Sequence, residues 1–231
     1  MFLFQFLCLT GEWQKARAQL SALAQLSPDA QMLSVAYGQA IDAEIVRADA
    51  FAGKAPVALL VKSDGWAQDL AASLGHAAAG RFDEADEARS RAFDSAPDTP
   101  GTLDGEVFDW IADADARFGP SVEAIIAGKW GLLPFDSVDF IRSEGPSDLR
   151  DTIWLPVQIG FRSGQSVAGF LPTRYPGSEA SSETSDVLAR ATRWIEGDSG
   201  ETGLGQHVLT LSNGEAHGLL SLRALSFDKQ G

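Results

Sequence analysis

The chain contains one cysteine and three histidines. Cys8 cannot form an intrachain disulfide, and its apolar neighbours favour a small buried side chain. His76, His207 and His217 lack a second ligand at a spacing typical of zinc sites, so we expect surface or strand histidines. No G-x-S-x-G motif of a serine hydrolase is present. These absences argue against the common nucleophilic and zinc-dependent enzymes.

Basic residues are also scarce, with 18 Lys and Arg against 32 Asp and Glu and a net charge of −14. Nucleic acids and anionic membrane surfaces attract clusters of basic residues, so we expect neither as a partner. The single cysteine favours a reducing, cytoplasmic location. A length of 231 residues allows one large domain or two small ones.

The chain begins with the apolar segment MFLFQFLCLTGEW. No Lys or Arg precedes the apolar residues, which argues against a secretory signal. The segment is also shorter than the roughly 20 apolar residues that span a bilayer. It therefore predicts a buried helix.

Residues 11–30 and 80–99 share a pattern at an offset of 69 residues. The matched pairs are Gly11 and Gly80, Trp13 and Phe82, Ala16 and Ala85, Pro28 and Pro97, and Asp29 and Asp98. The pattern is typical of the second half of a tetratricopeptide-like unit, and the interval leaves room for one more repeat of about 34 residues. We therefore predict a tetratricopeptide-like helical array over residues 1–100.

Residues 101–231 are predicted to begin with two helices. The first is indicated by the helical spacing of Phe108, Ile111, Asp115 and Phe118. It would end at Gly119, and a second helix would cover residues 121–127. The glycine-rich segment 200–205 follows no phosphate-loop pattern and is predicted to be a turn.

Short segments rich in β-branched and aromatic residues follow Trp130 and predict about six strands. Asn213-Gly214 is the commonest signal of a short hairpin. Residues 176–186 are small, polar and acidic, and we predict a mobile loop there. The fold class is therefore α+β, with a small antiparallel sheet or partly open barrel after the helical array.

Acidic residues at regular spacing provide the first candidate site. On the predicted helix, Asp109, Asp113 and Arg117 lie four residues apart and share one face, with Asp115 on the other side. A metal-dependent enzyme using Asp109, Asp113 and Asp115 is one interpretation. A set of salt bridges that joins the helical part to the sheet is the interpretation we favour.

Arg174 and Tyr175 provide the second candidate, because both residue types are enriched where partners bind. They could equally cover an edge of the core, and Trp110 could likewise be a core residue. The candidate partner-binding or domain-joining residues are Trp110, Asp113, Asp115, Arg117, Arg174 and Tyr175.

Several segments together resemble the ImpE/TagJ family of type VI secretion accessory proteins. They are GEWQKARAQL, AAAGRFDEADEARSRAFDSAPDTPGTLDG, FDWIADADARFGPSVEAIIAGKW, LRDTIWLPV and PTRYPGSE. The resemblance implies no enzyme activity and no cofactor. It implies a cytoplasmic adaptor that binds an N-terminal helix of the sheath small subunit, TssB, and is linked to sheath handling by the ClpV ATPase. A general protein-interaction scaffold is the alternative.

The resemblance also implies an uncovered surface at the start of the chain, because family members usually carry about one more helix pair before this point. We therefore expect Phe2, Phe4, Phe6 and Leu7 to be partly exposed, or buried by self-association. An acidic groove in the helical array would suit a partner helix that bears Lys or Arg.

Overall fold

The computed structural model describes residues 2–26, 28–63, 65–197 and 200–229. The helices are α1 (Phe2–Leu9), α2 (Trp13–Leu26), α3 (Pro28–Phe51), α4 (Gly65–Ala78), α5 (Phe82–Ser95) and α6 (Thr184–Val187). The strands are β1 (Gly101–Leu103), β2 (Glu106–Phe108), β3 (Ile111–Asp113), β4 (Ser121–Ile126), β5 (Lys129–Pro134), β6 (Val138–Arg142), β7 (Trp154–Phe161), β8 (Ser166–Pro172), β9 (Thr192–Gly197), β10 (Gly200–Gly205), β11 (Val208–Leu211), β12 (Ala216–Gly218) and β13 (Ala224–Phe227).

Two helix pairs form where the repeated pattern predicts them. Gly11 has φ 67° between α1 and α2, and Gly80 has φ 73° between α4 and α5, a backbone conformation that glycine adopts without strain. The interval between the pairs holds one 24-residue helix, α3, and an extended segment. The space that we assigned to a further helix pair is therefore filled differently, and the tetratricopeptide-like arrangement stays a prediction.

The strands build mainly one antiparallel sheet of eight, in the order β2-β1-β13-β6-β7-β8-β4-β5. Its end strands β2 and β5 do not pair with each other, so the sheet is not closed into a barrel. Strands β12, β11 and β3 form a second sheet, and β9 pairs with β10 in a two-stranded ribbon. The predicted hairpin at Asn213-Gly214 joins β11 to β12. These findings confirm the α+β class.

The two helices predicted between residues 101 and 128 are wrong. Residues 106–108 form β2, residues 111–113 form β3, and residues 121–126 form β4. Five successive residues of β4, from Ser121 to Ile125, are buried, and a strand buried on both faces has no alternation that distinguishes it from a helix. The predicted turn at 200–205 is also wrong, because those residues form β10.

The segment 176–186, for which we expected a mobile loop, has local secondary structure. It contains a 3₁₀ turn, Ser178–Ala180, and the start of α6. The Ser178 hydroxyl donates to the Tyr175 carbonyl oxygen at 2.6 Å, and the Asp186 carboxylate pairs with Arg193 at 2.6 Å. Both Ser178 and Asp186 are buried.

The helices pack on the sheet through shared hydrophobic clusters. Phe4, Leu20 and Ile41 of the first three helices form one cluster with Trp130 and Trp154 of the sheet. Of the helices in the described ranges, none combines the length and apolar character needed to cross a membrane.

For the N-terminal segment, the expected exposure is found for Phe2 and Phe6 and is wrong for Phe4 and Leu7. Phe4 and Leu7 are buried by the chain itself, whereas Phe2 is 73% exposed and Phe6 is 49% exposed. Leu3 is exposed beside them. Self-association through this exposed side of α1 stays a prediction.

Candidate functional site

A groove of about 500 Å³ lies between the C-terminal end of α5 and strand β3. We call it the α5–β3 groove and define it by Phe93, Pro97, Asp98, Trp110, Ala112 and Pro120. The side chains of Phe93 and Trp110 are each 42% exposed. Large, partly exposed aromatic side chains at the edge of an apolar groove are typical of protein-binding surfaces.

One wall of the groove depends on a glycine. Gly119 has φ 46°, and a Cβ atom at this position would lie 2.4 Å from Cε1 of Phe93. The backbone N–H of Asp113 donates to the Gly119 carbonyl oxygen at 2.7 Å, which ties this turn to β3. The absence of a side chain therefore lets the Phe93 ring pack directly against the turn.

The chain around the groove is strongly acidic. Between residues 92 and 116 there are seven acidic residues and no Lys or Arg. Asp94, Asp98 and Asp109 are exposed, and their carboxylates have no salt-bridge partner in the part of the chain that the structure describes. Of these three residues Asp98 lines the groove, so its carboxylate presents negative charge to solvent there.

A buried polar cluster begins at Asp113, at the end of β3. Its carboxylate accepts a hydrogen bond from the Tyr175 hydroxyl at 2.7 Å and lies 2.6 Å from Nδ1 of His207. The other ring nitrogen of His207, Nε2, lies 3.1 Å from Oε2 of Glu123 on β4. The imidazole therefore bridges two carboxylates.

Glu123 connects the sheet to α3. Arg47 donates from Nε and Nη2 to the two carboxylate oxygens of Glu123 at 2.7 and 2.6 Å. Trp130 donates to the same carboxylate at 2.7 Å. The Arg47 and Glu123 side chains are only 7% and 0% exposed, so this ion pair is buried.

Two further charged residues complete the cluster. Glu44 lies one helical turn from Arg47 and accepts a hydrogen bond from Trp154 at 3.0 Å. Arg174 donates to the carbonyl oxygens of Leu9 and Val187 at 2.9 and 2.8 Å. Arg174 therefore connects α1 and α6 with the segment that follows β8.

The environment sets the charge of each member. Burial would lower the pKa of His207, but Asp113 and Glu123 outweigh it and raise that pKa to about 9. Burial would raise the pKa of Glu123, but Arg47 and His207 lower it to about 2. Burial raises the pKa of Asp113 and of Glu44. Their basic neighbours lower these pKa values, but by less than burial raises them. His207 is therefore a cation at neutral pH and donates hydrogen bonds from both ring nitrogens.

Asp115 and Arg117 form a separate pair close to the ribbon. Arg117 donates to the Asp115 carboxylate from Nε at 3.0 Å and from Nη2 at 2.6 Å. The backbone N–H of Gly203 on β10 donates to the same carboxylate at 2.8 Å. This pair fixes the turn after β3 to the β9–β10 ribbon.

The structure does not form the predicted Asp109–Asp113–Arg117 face, because these residues lie on a strand and a turn rather than on a helix. Asp109 is exposed while Asp113 is buried against His207 and Tyr175. Within the described residues no group of three His, Cys, Asp or Glu side chains is placed to hold a metal ion. Of our six candidates, Trp110 alone lines the groove with an exposed side chain, and the other five serve internal contacts.

Sequence reasoning missed four members of the buried cluster, which are Glu44, Arg47, Glu123 and His207. His207 is buried and bridges two carboxylates, rather than being an ordinary surface or strand histidine. Glu44 carried a signal, because it shares the helical spacing of the apolar residues Ile41 and Ile45. A carboxylate on an apolar face needs a buried partner.

The Tyr175 hydroxyl provides a direct test of the cluster. It donates to Asp113 and accepts from the Val208 backbone N–H at 3.2 Å. Tyr175→Phe is expected to lower the free energy of unfolding by about 1–3 kcal/mol, because it removes a partner from two polar groups. Urea unfolding followed by tryptophan fluorescence measures the change.

Tyr37→Phe is the matched control for this test. The Tyr37 ring is also buried, but its hydroxyl makes no hydrogen bond to a residue in the described ranges. Its loss should change stability by less than about 0.5 kcal/mol. Equal effects of the two variants would contradict the role that we assign to the Tyr175 hydroxyl.

Three comparisons relate the chain to known proteins. The model of the ImpE protein family matches residues 105–226. The type VI secretion system accessory component TagJ of Pseudomonas aeruginosa is 36% identical over 228 residues, which cover 99% of this chain and 80% of that protein. An X-ray crystal structure of a Vibrio parahaemolyticus protein has a similar fold, with a TM-score of 0.86 at 21% identity over 98% of this chain and 85% of that chain.

Proposed function

Because the chain belongs to the ImpE family, as the resemblance predicted, we propose that it is a noncatalytic adaptor of a type VI secretion system. In this proposal it binds the N-terminal helix of the sheath small subunit TssB in the cytoplasm and is linked to ClpV-dependent sheath handling. The accessory role is supported by the similarity to TagJ over nearly the whole chain. TssB and ClpV as partners follow from the resemblance to the family.

The observation that carries the adaptor proposal is the α5–β3 groove, which is lined by the exposed aromatic side chains of Phe93 and Trp110 and by the exposed carboxylate of Asp98. An amphipathic helix binds such a surface through apolar anchors, and charge sets its orientation. The buried cluster supports a noncatalytic role, because Asp113, Glu123 and His207 are engaged with one another and with Arg47.

The only cysteine supports the same interpretation. Cys8 is fully buried, and burial raises the pKa of its thiol to about 12. Only the thiolate is an effective nucleophile, so Cys8 stays protonated and unreactive at neutral pH.

Direct binding tests the proposal. A synthetic peptide with the sequence of the TssB N-terminal helix is titrated into the full chain in a calorimeter. We expect saturable heat with one peptide bound per chain and a dissociation constant in the micromolar range. A peptide of the same composition in scrambled order controls for nonspecific charge attraction. The absence of saturable heat at high micromolar peptide would contradict the proposal.

A pull-down from cells that carry a type VI secretion cluster distinguishes this adaptor from a general scaffold. We expect TssB among the retained proteins when the tagged full chain is the bait. Retention of other proteins without TssB would support the scaffold alternative instead.

A further inference from the structure

We propose that a pocket beside the β7–β8 hairpin binds a small organic anion, whose carboxylate or phosphate group contacts Lys62 and Arg162 and whose apolar part packs on Phe161. The pocket has a volume of about 510 Å³, within the range of small-molecule sites. It shares no lining residue with the α5–β3 groove. We call it the β7–β8 pocket and define it by Leu60, Lys62, Ile126, Phe161, Arg162 and Gln165.

The first observation is the unused hydrogen-bonding edge of Arg162. Its Nη1 donates to the Asp228 carbonyl oxygen, and its guanidinium carbon lies 6.0 Å from the centroid of the Phe227 ring. Its Nε and Nη2 are buried and have no hydrogen-bond partner among the described residues. These two nitrogens form the edge of a guanidinium that binds a carboxylate or a phosphate through two parallel hydrogen bonds.

An anion would satisfy this edge of Arg162. Buried N–H groups without an acceptor are unfavourable, and most such groups in proteins have a partner. Because the structure shows only Nη1 holding the guanidinium, a rotation about that contact can present Nε and Nη2 to a ligand in the pocket that the side chain lines. Two acceptor oxygens on one ligand would then bind both nitrogens at once.

The second observation is the positive charge of the pocket. Lys62 is exposed and forms no salt bridge with a residue that the structure describes. Of the described residues that line the pocket, none is Asp or Glu. Asp136 follows β5 nearby in the chain, and its carboxylate accepts a hydrogen bond from Trp66 at 3.0 Å. In a chain with a net charge of −14, the pocket is therefore a local reversal of sign that attracts anions.

The rest of the lining selects an anion that carries an apolar group. Leu60, Ile126 and Phe161 are partly buried and pack against the main hydrophobic core of the sheet. Ser163 and Gln165 are exposed and add polar groups that can donate hydrogen bonds. Apolar walls with a few polar groups at one side are typical of small-molecule sites. An inorganic ion would leave the apolar part of this pocket in contact with water.

The walls of the pocket are fixed by backbone hydrogen bonds. The Arg162 N–H donates to the Ser137 carbonyl oxygen at 3.0 Å, which ties the hairpin to the turn after β5. The Leu60 N–H donates to the Leu132 carbonyl oxygen at 3.0 Å, which holds the segment that carries Lys62 against β5. A preformed site needs little ordering when a ligand binds, so more of the contact energy contributes to affinity.

Titration of small anions into the ¹⁵N-labelled full chain, followed through the backbone amide signals, tests the inference. Benzoate and phenyl phosphate carry an anionic group on an apolar ring, and we expect both to shift the signals of Lys62, Ser163 and Gln165 saturably. Benzamide has the shape of benzoate without its charge and should bind at least tenfold more weakly. Inorganic phosphate lacks the ring and should bind at least threefold more weakly than phenyl phosphate. The tighter of the two aromatic anions identifies the preferred anionic group.

Variants of the two cations assign the binding to the pocket. Arg162→Lys keeps the charge but loses the paired nitrogens, so we expect it to weaken the binding of benzoate and of phenyl phosphate at least fivefold. Lys62→Gln should weaken binding about threefold at low salt and less at high salt, because salt screens an exposed charge. Arg190→Gln is the matched control, because Arg190 is exposed, lies outside the pocket and should leave the affinity unchanged.

Three results would overturn the inference. They are the absence of saturable shifts with both aromatic anions at tens of millimolar, equal binding of benzamide and benzoate, and unchanged affinity in both Arg162→Lys and Lys62→Gln. The amide spectrum of each variant also reports whether it folds. If Arg162→Lys does not fold, Lys62→Gln decides the matter, because this side chain is exposed. The TssB peptide titration is a separate measurement, so either proposal can fail alone.

Discussion

Arg47→Met is expected to lower the free energy of unfolding by about 3–5 kcal/mol, the usual cost of removing one partner of a buried ion pair. The substitution leaves the Glu123 carboxylate, whose side chain is 0% exposed, without its bidentate counterion. Glu44, which lies 3.4 Å from Arg47 Nη1, loses its nearest cation as well. The large effect comes from the charges that remain buried, not from the attraction that is lost.

Arg17→Met is the matched control for that experiment. Arg17 pairs with Asp42 at 3.2 Å, but the two side chains are 41% and 54% exposed. Water already solvates both charges, so this loss should cost less than about 1 kcal/mol. Urea unfolding at pH 7 compares the two variants with the unmodified chain. If both substitutions lower the free energy of unfolding by similar amounts, burial of the Arg47–Glu123 pair does not increase the effect of removing one partner.

The position of Arg47 explains why so much depends on it. Its Nη2 donates to the Arg174 carbonyl oxygen at 2.8 Å in addition to Glu123. One guanidinium therefore connects α3, β4 and the segment after β8. Arg174 in turn binds the carbonyl oxygen of Leu9 at the end of α1. The helical part and the sheet are joined by this chain of buried contacts as well as by apolar packing.

The parts of the fold that follow local rules could be predicted from the sequence. The turns at Gly11 and Gly80 and the hairpin at Asn213-Gly214 depend on a few adjacent residues, and all three are observed. Strands β6 to β8 have β-branched and aromatic residues bounded by turn signals, and they lie in the region after Trp130 for which strands were predicted.

The region from β2 to β4 could not be predicted in the same way. In Ser121–Ile126, five successive residues are buried whatever face they occupy, so the apolar pattern fits a helix as well as a strand. The error also misplaced the candidate site, since the four-residue spacing of Asp109, Asp113 and Arg117 has meaning only on a helix.

The buried cluster was beyond sequence reasoning because its contacts are distant along the chain. Arg47 and Glu123 are separated by 76 residues, and Asp113 and His207 by 94. No local spacing links such residues, and only the fold brings them together. What the sequence does show is a charged residue in an apolar pattern, as at Glu123 within SVEAII, and this indicates that a buried partner exists without identifying it.

The second large effect concerns pH. Since the folded chain raises the pKa of His207 from 6.5 to about 9, the charged imidazole stabilises the folded state. This contribution is fully present below pH 6.5 and is lost as the pH rises through about 9. A difference of this size corresponds to about 3 kcal/mol. We therefore expect the unmodified chain to lose about that much stability between pH 6.5 and 9.5.

The neighbouring groups determine how the measurement must be made. Asp113 and Glu123 face His207 from β3 and β4, Tyr175 packs on its ring at 4.0 Å between centroids, and Arg47 lies behind Glu123. Burial raises the pKa of Asp113, which also reduces stability as the pH rises. The pKa of Glu123 is lowered to about 2, so the ionised carboxylate stabilises the folded state. This contribution is lost as the pH falls below 4.5 and does not change between pH 6.5 and 9.5.

His207→Gln isolates the histidine from these groups. The variant lacks the titrating imidazole, so its unfolding free energy should be lower than that of the unmodified chain at pH 6.5 and should change much less between pH 6.5 and 9.5. Urea unfolding at half-unit pH steps measures both curves, and their difference reports the His207 contribution. His217→Gln is the control, because His217 lies partly exposed beside Glu106. If the curves for His207→Gln and the unmodified chain stay parallel across this range, the imidazole is not charged in the folded state and the two-carboxylate bridge is wrong.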